Sequence, residues 1–305
     1  MDEGRLAEFV TAQAGEPVEI RSMRRVAFTH SRAVYDLDTS AGRLIMRMLV
    51  DGAGLQSVAD EFALMQSLRA AGIPVANPRW CEPVGKVLGR PFLVTDYVDG
   101  QSVADDDRGS DSPAAAGLVK ALAALHELPL DDHLPTVDPL QATHIQIEHW
   151  RNVGKTGGGG RVPLLDFAEM WLHQHVPVSV QLALVHGAPQ PANVVMAGGA
   201  VQAVTEWAFA HVSDPIEDWS YLATQDGTTA KVREWRAVVE REGGVRTSDD
   251  EWLYWEAFNL YKGACMGRVS LVQFERGVNR SPRMAIAGTA GYHSRLRRLV
   301  NIVES

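Results

Sequence analysis

The stretch Leu184-Val185-His186-Gly187-Ala188-Pro189-Gln190-Pro191-Ala192-Asn193 sets a histidine and an asparagine on either side of a position that carries only a methyl group. Phosphoryl transfer to a hydroxyl uses a loop of this spacing. A carboxylate two residues after the histidine accepts the hydroxyl proton, and an asparagine five residues further on holds a metal ion. His186 and Asn193 keep that frame, while Ala188 offers no atom that could accept a proton. A positioned general base contributes about 10²- to 10⁴-fold in rate. Positioning and electrostatics carry most of phosphoryl transfer, so the loop is compatible with a weakened reaction as well as with a lost one.

A second cluster lies just downstream. Val201-Gln202-Ala203-Val204 reads as an apolar strand, followed by Thr205-Glu206-Trp207-Ala208 and then by Ser213-Asp214-Pro215-Ile216-Glu217-Asp218. Between the clusters, Ala197-Gly198-Gly199 separates Val194-Val195-Met196 from Val201–Val204, the pattern of a short hairpin with a glycine turn. Such a hairpin is expected to bring Asn193 and Glu206 to one end.

Together the two clusters resemble the signatures of the aminoglycoside phosphotransferase and choline kinase family, HGDxxxxN and an apolar strand ending in IDWE before GDPxxDL. The resemblance implies transfer of the ATP γ-phosphate to a small-molecule hydroxyl with Mg²⁺. It assigns His186 and the position of Ala188 to the catalytic loop, and Asn193 and Glu206 to the metal. Glu206 stands where the family has Asp, longer by one carbon, roughly 1.5 Å of bond length. Ala208 stands for a usual Glu and Gln190 for a frequent His, so the chain reads as a degenerate member.

The elements that must position these residues are legible upstream. Leu6, Phe9 and Val10 have helical spacing, and Val26-Ala27-Phe28, Val34–Leu37 and Arg43–Met48 read as strands of an antiparallel sheet. A helix from near Ser57 through Leu68 ends at Ala71-Gly72-Ile73-Pro74. By the resemblance, Arg47 reaches the nucleotide phosphates and Glu61 pairs with it. Asp96 and Val98 belong to a hinge that receives adenine, and Ser31 with Arg32 lies in the phosphate-covering turn Thr29-His30-Ser31-Arg32. That turn lacks glycine, which leaves side chains rather than a backbone cradle to meet phosphate.

Residues 104–112 read as an exposed loop, and 114–128 as a helix ending in Leu122-Ala123-Ala124-Leu125-His126-Glu127-Leu128, with His126 a core histidine. Ile145–Arg151 resembles a helix of the branch related to the kinase-like domains of acyl-CoA dehydrogenase fusion proteins. Gly154-Lys155-Thr156-Gly157-Gly158-Gly159-Gly160 fails as a phosphate-binding P-loop, because His149 stands where the motif needs glycine, and it is read as a flexible loop. After Asp218 the chain reads as helical. The stripe Trp252, Trp255, Phe258, Tyr261 is core, and Arg295, Arg297 and Arg298 form a solvated face.

The expected architecture is therefore α+β, a protein-kinase-like two-lobed fold. Residues 1–98 form an N-terminal lobe of antiparallel sheet plus helix, and 99–305 a mostly helical C-terminal lobe. A chain of 305 residues, 46% of them hydrophobic, can bury a core of that size. A net charge of -9 without a Lys/Arg run argues against nucleic acid and membrane partners, and leaves a small molecule as ligand. Cys81 and Cys265 fit neither a disulfide framework nor zinc spacing and are read as reduced core residues. The amphipathic start suggests a cytoplasmic location. Oligomeric state is not legible. Phosphotransfer, a pseudokinase-like binding role for a nucleotide or small molecule, and a different reaction on the same scaffold all stay open.

Overall fold

The alternating residues after Val18 build three consecutive strands, β1 (Ile20–Phe28), β2 (Arg32–Thr39) and β3 (Gly42–Leu49), each antiparallel to the next. β4 (Pro78–Glu82) and β5 (Phe92–Asp96) complete a five-stranded sheet of order β1-β2-β3-β5-β4. In this computed structural model the described residues are 2–29, 31–50, 56–103, 109–130, 138–158, 160–177, 181–224 and 229–304. Of the sequence expectations, those on His30, on residues 104–108 and on Gly159 fall outside them.

The sheet buries one face under α1 (Glu3–Ala14). Leu6 and Val10 of the helix meet Leu37, Leu44, Met46, Phe92 and Val94 in a common core. α2 (Val58–Ala70) begins at Ser57, whose hydroxyl accepts the Asp60 N–H at 3.1 Å, and this cap fixes the first turn that carries Glu61. Arg47 projects from β3, the middle strand of the five rather than an edge.

Two compact units divide the chain: residues 1–102 with 194–209, and residues 103–193 with 210–305. A division at 98/99 would leave 194–209 with the helical part. The segment clusters with the first unit because β8 (Val194–Ala197) pairs with both β6 (Gln101–Ser102) and β9 (Ala200–Val204), the glycine-turned hairpin of the sequence reading.

The second unit is helical, built from α3 (Pro113–His126), α4 (Pro139–Thr156), α5 (Pro163–Gln174), α6 (Ile216–Thr224), α7 (Thr229–Gly243), α8 (Asp249–Glu275), α9 (Pro282–Ile286) and α10 (Tyr292–Val303). A two-stranded ribbon of β7 (Ala183–Val185) and β10 (His211–Ser213) runs through it. Trp252, Trp255, Phe258 and Tyr261 of α8 are buried, as their period implies. No helix among the described residues is long and apolar enough to cross a membrane.

Two expectations are corrected here. Gly154, Lys155 and Thr156 are the last turn of α4, not a loop. The glycines serve close packing: a Cβ on Gly157 would stand 2.5 Å from Cβ of Arg268 on α8, and one on Gly154 3.0 Å from Sγ of Cys265. Nor do all three C-terminal arginines face water. Arg298 holds Glu256 at 2.9 Å and the Thr224 carbonyl at 3.0 Å, and Arg295 lies against Gly263, leaving Arg297 exposed.

Candidate active site

In the helical unit, β7 carries the chain into His186, which is fully buried. Gly187 turns the backbone with φ 78°, a left-handed conformation that favours glycine. The turn is then clamped by Asp218 of α6. Its two carboxylate oxygens accept the backbone N–H groups of His186 and Gly187, both at 2.8 Å, and Nε2 of His126 lies 2.9 Å from one of them. His126 also packs edge-on against Trp219. The Ala188 N–H points to Nδ1 of His186 at 3.3 Å, and the Ala188 carbonyl accepts from the Asn193 amide at 3.1 Å. Ala188 is buried. The loop thus keeps a defined shape, and the residue at its centre brings no reactive atom.

A further residue holds the loop that the sequence reading passed over. Lys262 of α8 is fully buried and its ammonium donates to the Gly187 carbonyl and, at 3.0 Å, to Glu217. The rings of Trp150 and Tyr221 lie 5.1 and 5.3 Å from that nitrogen. Glu217 also meets Nε2 of His211 at 3.1 Å. Burial alone would raise the Glu217 carboxyl, but His211 and Lys262 outweigh it and hold the group down at about 2. Lys262 falls four residues after Phe258 and seven after Trp255, on the same buried stripe, which is the signal that marks it.

Neighbouring His149 on α4 shows the opposite cationic effect. Burial, and then the charges of His211 and Lys262, push it down to about 4. Because this lies below the ordinary value of 6.5, the folded state gains stability that is complete above pH 6.5 and lost as pH falls toward 4. His149→Gln is expected to remove about 1–2 kcal/mol of that acid sensitivity, allowing for partial exposure, measured as the difference in urea-unfolding free energy between pH 7 and pH 4.5.

In the sheet unit Arg47 and Glu61 pair as expected at 3.9 Å, though each has a closer partner. Glu61 is fully buried and its main partner is Arg32, whose Nε and Nη2 reach the same carboxylate oxygen at 2.9 and 2.5 Å. Arg47 stands 3.9 Å from the other oxygen and donates instead to Glu206. Burial works against the charge on Arg47, and Glu206 with Glu61 overcomes it, leaving its pKa raised. Arg32 and Ser31, read as phosphate-facing turn residues, are both turned fully inward. The sheet explains this: Arg32 opens β2 opposite Leu49, on the side where α2 presents Glu61.

Glu206 is the one residue other than glycine with positive φ among the described residues, 71°. That conformation costs an ordinary side chain about 1–2 kcal/mol, and it persists where surroundings impose it, commonly at functional positions. Asp96 accepts from the Asn77 amide at 2.7 Å and lies 3.6 Å from Arg79, while Val98 is half-buried in the segment after β5. Asn193 belongs to the helical unit and Glu206 to the sheet unit.

This sheet-plus-helix unit and helical unit, with a looped His and Asn after a short strand, define a protein-kinase-like phosphotransferase fold. The family model described as "Phosphotransferase enzyme family" (APH) matches residues 22–257, and the chain belongs to that family. Similar solved structures include a candidate aminoglycoside phosphotransferase from Ralstonia eutropha (19% identity, TM-score 0.72, covering 99% of this chain and 98% of that one). Another is the choline kinase LicA from Streptococcus pneumoniae (12%, 0.68, 98% and 99%), a protein also solved in complex with AMP. Mouse acyl-CoA dehydrogenase family member 10 is 24% identical over 214 residues, 65% of this chain. The chain spans 20–28% of the length of the curated relatives it matches.

Proposed function

We propose that this chain is a pseudokinase-like member of the phosphotransferase family, a cytoplasmic binding protein for a nucleotide or another small molecule, without phosphotransfer of its own. The observation that carries this reading is the loop around Ala188. Its neighbours are braced by Asp218, Lys262 and Asn193, and at its centre a buried methyl group replaces any proton acceptor.

The Mg²⁺ that the family implies does not suit the groups as they stand. Glu206, the carboxylate assigned to it, is engaged with the Arg47 guanidinium. A hard dication needs free oxygen ligands. A nucleotide is therefore expected to bind without help from the metal.

Thermal shift with ATP, ADP and AMP, each with and without Mg²⁺, beside an ATP-consumption assay, tests this. The expected result is stabilisation by nucleotide that Mg²⁺ leaves unchanged, with no ATP turnover. A Mg²⁺-dependent shift accompanied by turnover would overturn it, and no shift with any nucleotide would restrict the ligand to another small molecule. Ala188→Asp is expected to remain without turnover, because the Arg47–Glu206 pair is untouched by it. Turnover appearing in that variant would mean that the carboxylate is the sole defect.

A second reading, phosphotransfer to a small-molecule hydroxyl sustained by positioning alone, is favoured by the intact bracing of the loop by Asp218. The same turnover assay on the natural sequence decides between the two.

A further inference from the structure

α4 and α5 each carry a histidine and a carboxylate four residues apart: His144 and Glu148 on one, Glu169 and His173 on the other. That spacing sets both members of a pair on one helix face. Here the two faces meet. Nδ1 of His144 and Nδ1 of His173 are 2.7 Å apart, and the half-buried rings stack at 4.9 Å between centroids and 26° between planes. Glu148 and Glu169 are near enough to act on the charge of His173, and Glu169 is oriented by Arg151 at 3.2 Å. None of these side chains takes part in the catalytic-loop contacts.

Two imidazole nitrogens at that distance share at most one proton, with one donating and the other accepting. Protonating both rings would set two positive charges face to face, with Arg151 adding to them. Burial and then His144 accordingly hold His173 below the ordinary imidazole range. The structure thus converges two imidazole nitrogens from two packed helices, with carboxylates on the same faces.

We propose that His144 and His173 form a two-imidazole site for a first-row transition-metal dication of the Zn²⁺, Ni²⁺ or Cu²⁺ type, completed by water. Metal–nitrogen bonds of about 2.0–2.1 Å at a near-tetrahedral angle set the two nitrogens about 3.3 Å apart. The rings need part by only about 0.6 Å, within reach of small side-chain rotations. Among the described residues no three His, Cys, Asp or Glu side chains stand as a finished cage. The site is therefore an open, exchangeable one. Imidazole selects these metals over Mg²⁺, which takes oxygen ligands.

Isothermal titration of the chelator-treated full chain with ZnCl₂ and with NiSO₄ tests the proposal, and it depends on neither reading of the catalytic loop. One equivalent is expected to bind, unaffected by millimolar Mg²⁺. His144→Ala and His173→Ala should each weaken binding at least about tenfold. His175→Ala, whose exposed ring instead contacts the Trp171 carbonyl at 2.7 Å, should not. Cu²⁺ electron paramagnetic resonance should resolve two imidazole nitrogens in the natural protein and one in His144→Gln or His173→Gln, which serve should the alanine variants fold poorly. Absence of saturable binding at 100 µM metal (about the weakest affinity such a site would have), or unchanged affinity and unchanged nitrogen count in the histidine variants, would overturn it.

Discussion

Replacing Lys262 by Met is expected to lower the unfolding free energy by about 3–5 kcal/mol, because it leaves Glu217 charged in a fully buried site. The pH dependence separates this cause from mere loss of packing. In the natural protein Glu217 titrates at about 2, below its ordinary 4.5, so its contribution is present above pH 4.5 and lost as pH falls toward 2. Without Lys262 the burial that opposes ionisation is answered only by His211 and Ser213. The carboxyl then titrates higher than in the natural protein, so the gap in stability between the two proteins narrows as pH falls below 4.5. Lys262→Met/Glu217→Gln should recover part of the loss at pH 7, since no buried charge is then left unpaired. Urea unfolding of the natural protein and both variants at pH 7 and pH 3 measures all of this. A loss confined to about 1 kcal/mol, or a loss as large at pH 3 as at pH 7, would show that the lysine is not paired as described.

Lys262 also illustrates what was readable in advance. Its place on the aromatic stripe of α8 is a matter of helical period, and the period was plain. Its partners were not, because Glu217 lies 45 residues away and Gly187 lies 75 away. The same division runs through the whole molecule. The sheet, α2 and the glycine-turned hairpin followed from alternation, caps and turn residues, which act over a few positions. The catalytic loop was recognisable because a spacing within ten residues carries it. Arg32, by contrast, sits in a turn with no periodic signal. Whether its side chain faces outward or toward Glu61 depends on the β2–β3 register and on where α2 packs. The glycines after His149 looked like loop because composition does not reveal that a neighbouring helix needs the space of a Cβ. The His144–His173 contact likewise joins two helices whose relative position no local pattern specifies.

The buried network of the sheet unit yields the second large effect. Arg32→Met is expected to cost about 3 kcal/mol, since Glu61 loses both of its close contacts. The remaining cation is Arg47, already 3.9 Å from the free oxygen of Glu61, and it is the nearest group that can replace the lost one. Moving it toward Glu61 draws it from Glu206. The sheet unit therefore behaves as one chain of charges, Arg32, Glu61, Arg47 and Glu206, in which a change at one end is felt at the other. A double-mutant cycle between Arg32→Met and Glu206→Gln measures that coupling directly. The two residues share no contact, so independent sites would add to within about 0.3–0.5 kcal/mol. A shared Arg47 predicts a coupling of about 1 kcal/mol or more, with the double variant less damaged than the sum. Glu206→Gln releases Arg47 to answer Glu61. Strict additivity would mean that Arg47 does not bridge the two acids, and that its guanidinium is not what keeps Glu206 from serving a metal.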